Sequence, residues 1–216
     1  MRFVLVATAS TMLLAGCASM SKSECLYADW QAIGYEDGSV GMPASAVSSR
    51  RQACAKAGVT PDMNAYLAGR DQGLSEYCTP GNAFRVGENG AGYSGVCARH
   101  DEASFLEQYR TGARLYLLRD KLRSAEFALR QANDDLSNTQ HGIALATAAL
   151  VRPDLSISER TAYVVDLKRL AEEGEAIERS IPGLRMNIDL AAADLADYEA
   201  QLASLPVSRP SQVAAR

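Results

Sequence analysis

The sequence predicts an all-α protein: a small disulfide-stapled helical domain followed by a long antiparallel helical (coiled-coil) hairpin. Three observations carry that expectation. From about residue 101 the apolar positions recur at alternating spacings of three and four, the period of a helix with one buried stripe. All five cysteines lie at or before position 97, in the half that also holds most of the glycines. The 216 residues are 47% hydrophobic but only 6% aromatic, so the core must be built from Ala and Leu or be helped by cross-links. A net charge of −4 excludes a basic nucleic-acid binder. A charged fraction of 22% is that of a folded chain.

Residues 1–16 read as a secretory signal peptide. Met1-Arg2 is a short positive start, and Phe3 to Ala15 is an apolar run broken only by Thr8, Ser10 and Thr11. That run is shorter than the roughly 20 residues needed to cross a bilayer. A plain signal peptide cut elsewhere and a short membrane anchor are the rival readings. Leu14-Ala15-Gly16-Cys17 closely resembles the lipobox of bacterial lipoproteins. The resemblance implies cleavage before Cys17, a diacylglyceryl (palmitate-type) group on its sulfur and acylation of the new amine. Several acyl chains, at about 0.8 kcal/mol per buried CH₂, hold a protein on a membrane without a spanning helix. By resemblance to lipoprotein sorting signals, Ala18 in place of Asp after the cysteine implies the outer membrane, facing the periplasm. Residues 17–23 are then a tether.

Cys25, Cys54, Cys78 and Cys97 remain, an even number in an exported chain, which reads as two disulfides. No C-x₂-C pair supports a metal site. Four cysteines allow three connectivities, and the local helices choose among them. Leu26, Trp30 and Ile33 predict a helix from Glu24 to about Gly38. Ser45 or Ser48 starts a second helix that ends at Ala57-Gly58. Thr60-Pro61-Asp62 predicts a third, with Thr60 as N-cap and Pro61 in the first turn, running to about Tyr77. Thr79-Pro80-Gly81 reads as its stop, and residues 80–96 as a glycine-rich loop or short hairpin. Antiparallel packing of the first two helices sets Cys25 against Cys54. Cys78 and Cys97 then close the glycine-rich loop. Residues 24–100 form the stapled domain.

Within it an aromatic-x-x-Gly unit recurs at Tyr35/Gly38, Tyr66/Gly69, Phe84/Gly87 and Tyr109/Gly112, with Gly-x-x-x-Gly at Gly34/Gly38 and Gly69/Gly73. Glycine inside a helix costs about 1 kcal/mol relative to Ala, so something compensates. One reading is close helix–helix approach over glycine faces. The other is a ligand groove lined by Asp37, Arg70, Asp71 and Tyr77. The order Cys25…Asp29-Trp30…Gly34-Tyr35-Glu-Asp-Gly38, Arg51…Ala53-Cys54, Tyr66…Gly69-Arg70-Asp71-Gln-Gly73-Leu74…Tyr77-Cys78-Thr79-Pro80 and Gly87…Gly90…Tyr93-Ser-Gly95-Val96-Cys97 looks like a proteobacterial lipoprotein family known as a domain of unknown function. The resemblance covers about residues 24–118. It implies a lipoprotein and brings no activity, substrate or catalytic residue.

Residues 101–205 read as the hairpin. Leu115, Leu118, Leu122, Ala125, Leu129, Ala132, Leu136, Thr139, Ile143, Ala146 and Leu150 form one heptad register, with Leu or Ile at a and mostly Ala at d. At 1.5 Å per residue this arm reaches about 54 Å. Arg152-Pro153-Asp154 breaks it, giving a turn near 152–156, and Ser156-x-x-Glu159 is a capping box. The return register is Leu167, Leu170, Gly174, Ile177, Ile181, Leu184, Ile188, Ala191, Leu195, Tyr198, Leu202 and Leu205. Pro182-Gly183 predicts a kink or short break. Basic residues Arg110, Arg114, Arg119, Lys121, Arg123 and Arg130 face an acidic set on the return arm: Glu172, Glu173, Glu175, Glu178, Asp189, Asp194 and Asp197. A parallel homodimer through Leu115–Leu150 is the alternative pairing. Residues 206–216, rich in Pro, Ser and Ala, read as a disordered tail.

Chemistry is sparse. His100 and His141 are the two histidines, and no H-x-H or H-E-x-x-H occurs. Gly92-Tyr93-Ser94-Gly95 falls short of G-x-S-x-G. A glycan hydrolase would require only two carboxylates, yet no nucleophile–base–orienter set is visible. The expectation is a non-enzyme without cofactor, metal or nucleic-acid partner. It is held to the membrane by its N-terminal lipid and acts as a structural or assembly adaptor through an envelope protein or self-association. The alternative is a binder of an envelope ligand, a glycan or peptidoglycan fragment, with the hairpin as spacer.

Overall fold

The computed structural model describes residues 20–204. Cys17, the leader and the tail lie outside them. The described residues are helical without a strand: α1 (Lys22–Tyr27), α2 (Trp30–Ser39), a 3₁₀ turn (Ala44–Ala46), α3 (Val47–Lys56), α4 (Met63–Tyr77), α5 (Pro80–Glu88), α6 (Glu102–Leu150) and α7 (Ile157–Ser204). None is long and apolar enough to cross a membrane. Contacts divide the chain into two units: residues 20–83 with 93–106, and residues 84–92 with 107–204.

Helix α1 begins at Lys22, inside the expected tether, and α3 begins at Val47 after Ala46 with no side-chain cap from Ser45 or Ser48. Three further boundaries differ from the sequence expectation, each through a cap. The expected single helix from Glu24 is broken at Ala28, because the Asp29 carboxylate accepts from Ala32 N–H and starts α2 afresh. Asp62, rather than Thr60, caps α4, accepting from Asn64 N–H and Ala65 N–H at 3.0 and 2.9 Å. The third is larger. Thr79-Pro80 is a start: Thr79 precedes α5, its carbonyl accepts from Ala83 N–H, and Pro80 fills the first position, where a missing N–H costs nothing. The glycine-rich loop is therefore confined to the stretch between α5 and α6.

In the first unit α2 and α4 cross backbone to backbone. A Cβ on Gly34 would stand 2.0 Å from the Tyr66 carbonyl oxygen, one on Gly38 2.3 Å from that of Arg70, one on Gly69 1.9 Å from that of Gln31 and one on Gly73 2.2 Å from that of Tyr35. The glycines are there for helix contact. Trp30, Val47, Tyr66 and the Cys25–Cys54 disulfide fill the core beside this crossing. Cys78–Cys97 is the second disulfide, so both pairs are those expected.

The second unit repeats the crossing. A Cβ on Gly87 would meet the Tyr109 carbonyl oxygen at 2.2 Å, and one on Gly112 that of Phe84 at 2.1 Å. The correspondence extends through the turn. Gly41 N–H donates to Gly38 O and Met42 N–H to Asp37 O; Gly90 N–H donates to Gly87 O and Ala91 N–H to Val86 O. Gly41 and Gly90 have φ near +70°, and each lies against a tyrosine ring, Tyr77 and Tyr116. Thus Tyr35-x-x-Gly38 matches Phe84-x-x-Gly87, and Arg70-x-x-Gly73 matches Tyr109-x-x-Gly112. The expected fourth partner, Tyr66-x-x-Gly69, lies one turn out of register.

The rest of the second unit is the α6–α7 hairpin. Every position of both heptad registers within the described residues is buried or half-buried. The helices run antiparallel: Lys121 pairs with Asp194 at 2.7 Å, Thr139 faces Gly174, and Leu170 lies on Gly142. Ser156 and Glu159 form the expected capping box. Arg160 donates to the Leu150 and Arg152 carbonyls and so closes the end of α6. Helix α7 runs through Pro182 without the expected break. The expected cross-arm charge pairing is mostly absent. Beyond Lys121–Asp194 and Arg119–Glu199, these charges pair along their own helix, as in Arg123–Asp120, Arg130–Glu126 and Arg179–Glu175. They point outward, where the nearest opposite charge is one turn away.

Candidate functional site

The four groove candidates divide into two pairs. Asp37 is 5% exposed and fully engaged. Its carboxylate takes both guanidinium nitrogens of Arg50, Nη2 at 3.0 Å, and the Tyr66 hydroxyl at 2.9 Å. Burial and the Asp37 hydrogen bond push the Tyr66 hydroxyl up to about 12. The same hydrogen bond raises Arg50 further above its already high value. This network fastens α3 to the α2–α4 crossing. The matching residue in the second crossing is Val86; the third helix there, α7, is held from α6 instead, Tyr198 donating to the Thr111 carbonyl at 2.9 Å. Asp37 is therefore a docking residue, and the groove role expected for it is corrected. Tyr77 is corrected likewise: its ring is buried, covered by Gly41 on one side and stacked on Phe105 at 5.4 Å.

Arg70 and Asp71 do come together at an opening. With Leu67 and Leu74 they form the α4 wall of a cleft of about 430 Å³. The opposite walls are Pro43-Ala44 and the loop carrying Ser94, Val96 and Arg99. Arg70 Nη2 donates to the Met42 carbonyl at 2.8 Å, while its buried Nε has no partner. His100 Nε2, also buried without a hydrogen bond, lies 3.8 Å from Asp71 Oδ1. Sequence reasoning missed the loop side. The predicted Cys78–Cys97 bond was the available signal, since it returns residues 94–99 to the end of α4.

The loop is held from two directions. Cys97 is bonded to Cys78, and its N–H donates to the Tyr93 hydroxyl at 2.9 Å. That hydroxyl in turn donates to Glu102 Oε1 at 2.6 Å. Burial, then the Glu102 hydrogen bond, push it up to about 12. Gly95 takes φ +69°, a left-handed conformation that favours glycine.

Residues 29–114 match a family model described as protein of unknown function (DUF2799). The matched segment begins at the Asp29 cap of α2 and ends just past Gly112, so it spans both glycine crossings and excludes most of the hairpin. No curated protein and no solved structure matches the chain. Among the described residues no group of three or more His, Cys, Asp or Glu is placed to hold a metal ion.

Proposed function

We propose that this chain is an exported, lipid-anchored envelope protein. In this reading Cys17 carries the lipid at the outer membrane, and the α6–α7 hairpin acts as a non-enzymatic structural or assembly adaptor that binds an envelope protein. One observation carries the adaptor role: the hairpin leaves large apolar side chains on its outside. Leu117, Phe127, Leu145, Val164, Val165, Met186 and Leu190 are each more than half exposed, although the a and d seam is filled without them. These side chains are the anchors a covering partner would use. Two disulfides support the oxidising compartment.

A photo-crosslinking residue placed at Phe127, Leu145 or Met186 in intact cells tests the reading. Discrete adducts are expected from these sites, with none from exposed Lys168, and membrane release is expected for Cys17→Ser. Absence of any adduct from the hairpin sites would sink the adaptor role. A membrane-bound Cys17→Ser protein would sink the anchor.

A further inference from the structure

We propose that the cleft between α4 and the Ser94–Arg99 loop binds a short peptide or amino acid through its free carboxylate. The inference goes beyond the adaptor reading and does not depend on it. Three observations lead to it. First, the cleft is of ligand size: about 430 Å³ falls within the roughly 300–1,000 Å³ usual for small-molecule sites. Second, it is built. One wall is a helix face, and the facing loop is fixed by the Cys78–Cys97 disulfide and by the Tyr93–Glu102 hydrogen bond, so little ordering is left to be done on binding.

Third, the charge at Arg70 exceeds what the fold asks of it. In the second crossing the matching residue is Tyr109, whose hydroxyl donates to the Ala91 carbonyl at 3.1 Å. Arg70 makes the same bond to the matching Met42 carbonyl at 2.8 Å. A neutral tyrosine performs this packing duty, so the guanidinium is not required for it. What Arg70 adds is a positive charge in the lining of the cleft. Arginine presents its donors as a planar fork that fits a carboxylate. Arg99 adds a second cation to the lining. Leu67, Leu74 and Val96 supply an apolar surface for a side chain. Asp71, whose side chain is 64% exposed, stands where it can take an ammonium group. A carboxylate, an ammonium and an apolar side chain together describe a free amino acid or short peptide.

The test is a titration of the full, oxidised chain, isotopically labelled, with the dipeptide alanyl-leucine, its C-terminal amide and inorganic phosphate. The dipeptide should give saturable NMR shifts at Arg70, Asp71, Val96 and Arg99, with the amide weaker by about tenfold or more. Arg70→Tyr should keep the parent circular dichroism and melting temperature, as Tyr109 does in its own crossing, and lose the binding. Arg99→Ala, an exposed change, should weaken it by a similar factor and decides the matter if Arg70→Tyr misfolds. Equal binding of dipeptide and amide would overturn the proposal. So would saturation by phosphate alone, or the absence of saturable shifts at about 10 mM dipeptide, tenfold above a Kd of about 1 mM.

Discussion

Gly34→Ala puts the helix crossing to the test. In an ordinary helix interior this substitution stabilises by about 1 kcal/mol, because Ala has the higher helix propensity. At Gly34 the new Cβ would lie 2.0 Å from the Tyr66 carbonyl oxygen and 3.0 Å from Arg70 N. Both are backbone atoms of α4 and cannot rotate aside. Restoring a contact of about 3.5 Å requires the helices to part by about 1.5 Å, which loosens every neighbouring contact along the crossing. Overpacking costs about 1–3 kcal/mol, and a backbone neighbour places this site at the upper end, about 3 kcal/mol. For a chain of this length that lowers the melting temperature by about 6–12 °C. Gly183→Ala is the matched control, since nothing lies within 4 Å of its Cβ position in α7. Urea unfolding followed by circular dichroism at 222 nm measures both. Gly34→Ala should lose stability while Gly183→Ala gains about 1 kcal/mol. Equal stabilisation by both would refute backbone contact as the reason for the glycines.

Gly174, a buried heptad position, should behave unlike Gly34: its Cβ would meet Thr139 Cγ2 at 3.5 Å, an ordinary contact, so Gly174→Ala should stabilise the hairpin by about 1 kcal/mol in the same urea assay. Replacing Cys78 and Cys97 with serine opens a loop of sequence separation 19 and should cost about 3 kcal/mol by chain entropy, read as a lowered urea midpoint. Tyr66 and Tyr93 should titrate near 12, about two units above an exposed tyrosine, in an ultraviolet titration, and Tyr66→Phe should remove one late step. Because both folded values are raised, the native state keeps protons that the unfolded chain has lost. Their contribution is therefore full below about pH 10 and fades as the pH rises toward 12, so alkaline unfolding should steepen in that window.

What could be read in the sequence was periodic or covalent. The heptad stripe from Leu115 to Leu150 and its return to Leu202 are long patterns that no local signal contradicts, and burial follows them position by position. The pairs Cys25–Cys54 and Cys78–Cys97 are legible as well, although the expected helix from Glu24 to Gly38 that leads to the first of them is broken at Ala28. The misread elements share a different cause: short signals that serve two meanings. Thr79-Pro80 ends one helix and begins the next, since proline is unwelcome inside a helix and welcome at its first position. Asp37 looked like a ligand residue because its partner Arg50 lies on α3, a tertiary contact that no local pattern announces. The glycine echo is visible in the sequence, but Tyr66-x-x-Gly69 lies one turn out of register with the other units. The spacing Gly38/Gly41 against Gly87/Gly90, each pair ending in a left-handed turn under a tyrosine ring, fixes it.

Having two copies of one crossing in a single chain gives a way to separate packing from purpose. Positions that agree in both copies answer to geometry: Gly38 and Gly87, Gly73 and Gly112, Gly41 and Gly90, and Tyr77 and Tyr116. Positions that differ answer to something only one copy has. Asp37 against Val86 is accounted for by α3, which only the first copy must hold, through Arg50. Arg70 against Tyr109 is a difference that the turn does not require, because both side chains make the same kind of bond to the matching carbonyl. The first copy also has what the second lacks, a disulfide-held loop standing across a cleft from that residue. Gly34 and Gly69 differ too, standing where the second copy has Ala83 and Gln108; among the positions that differ, Arg70 is the one in the lining of the opening.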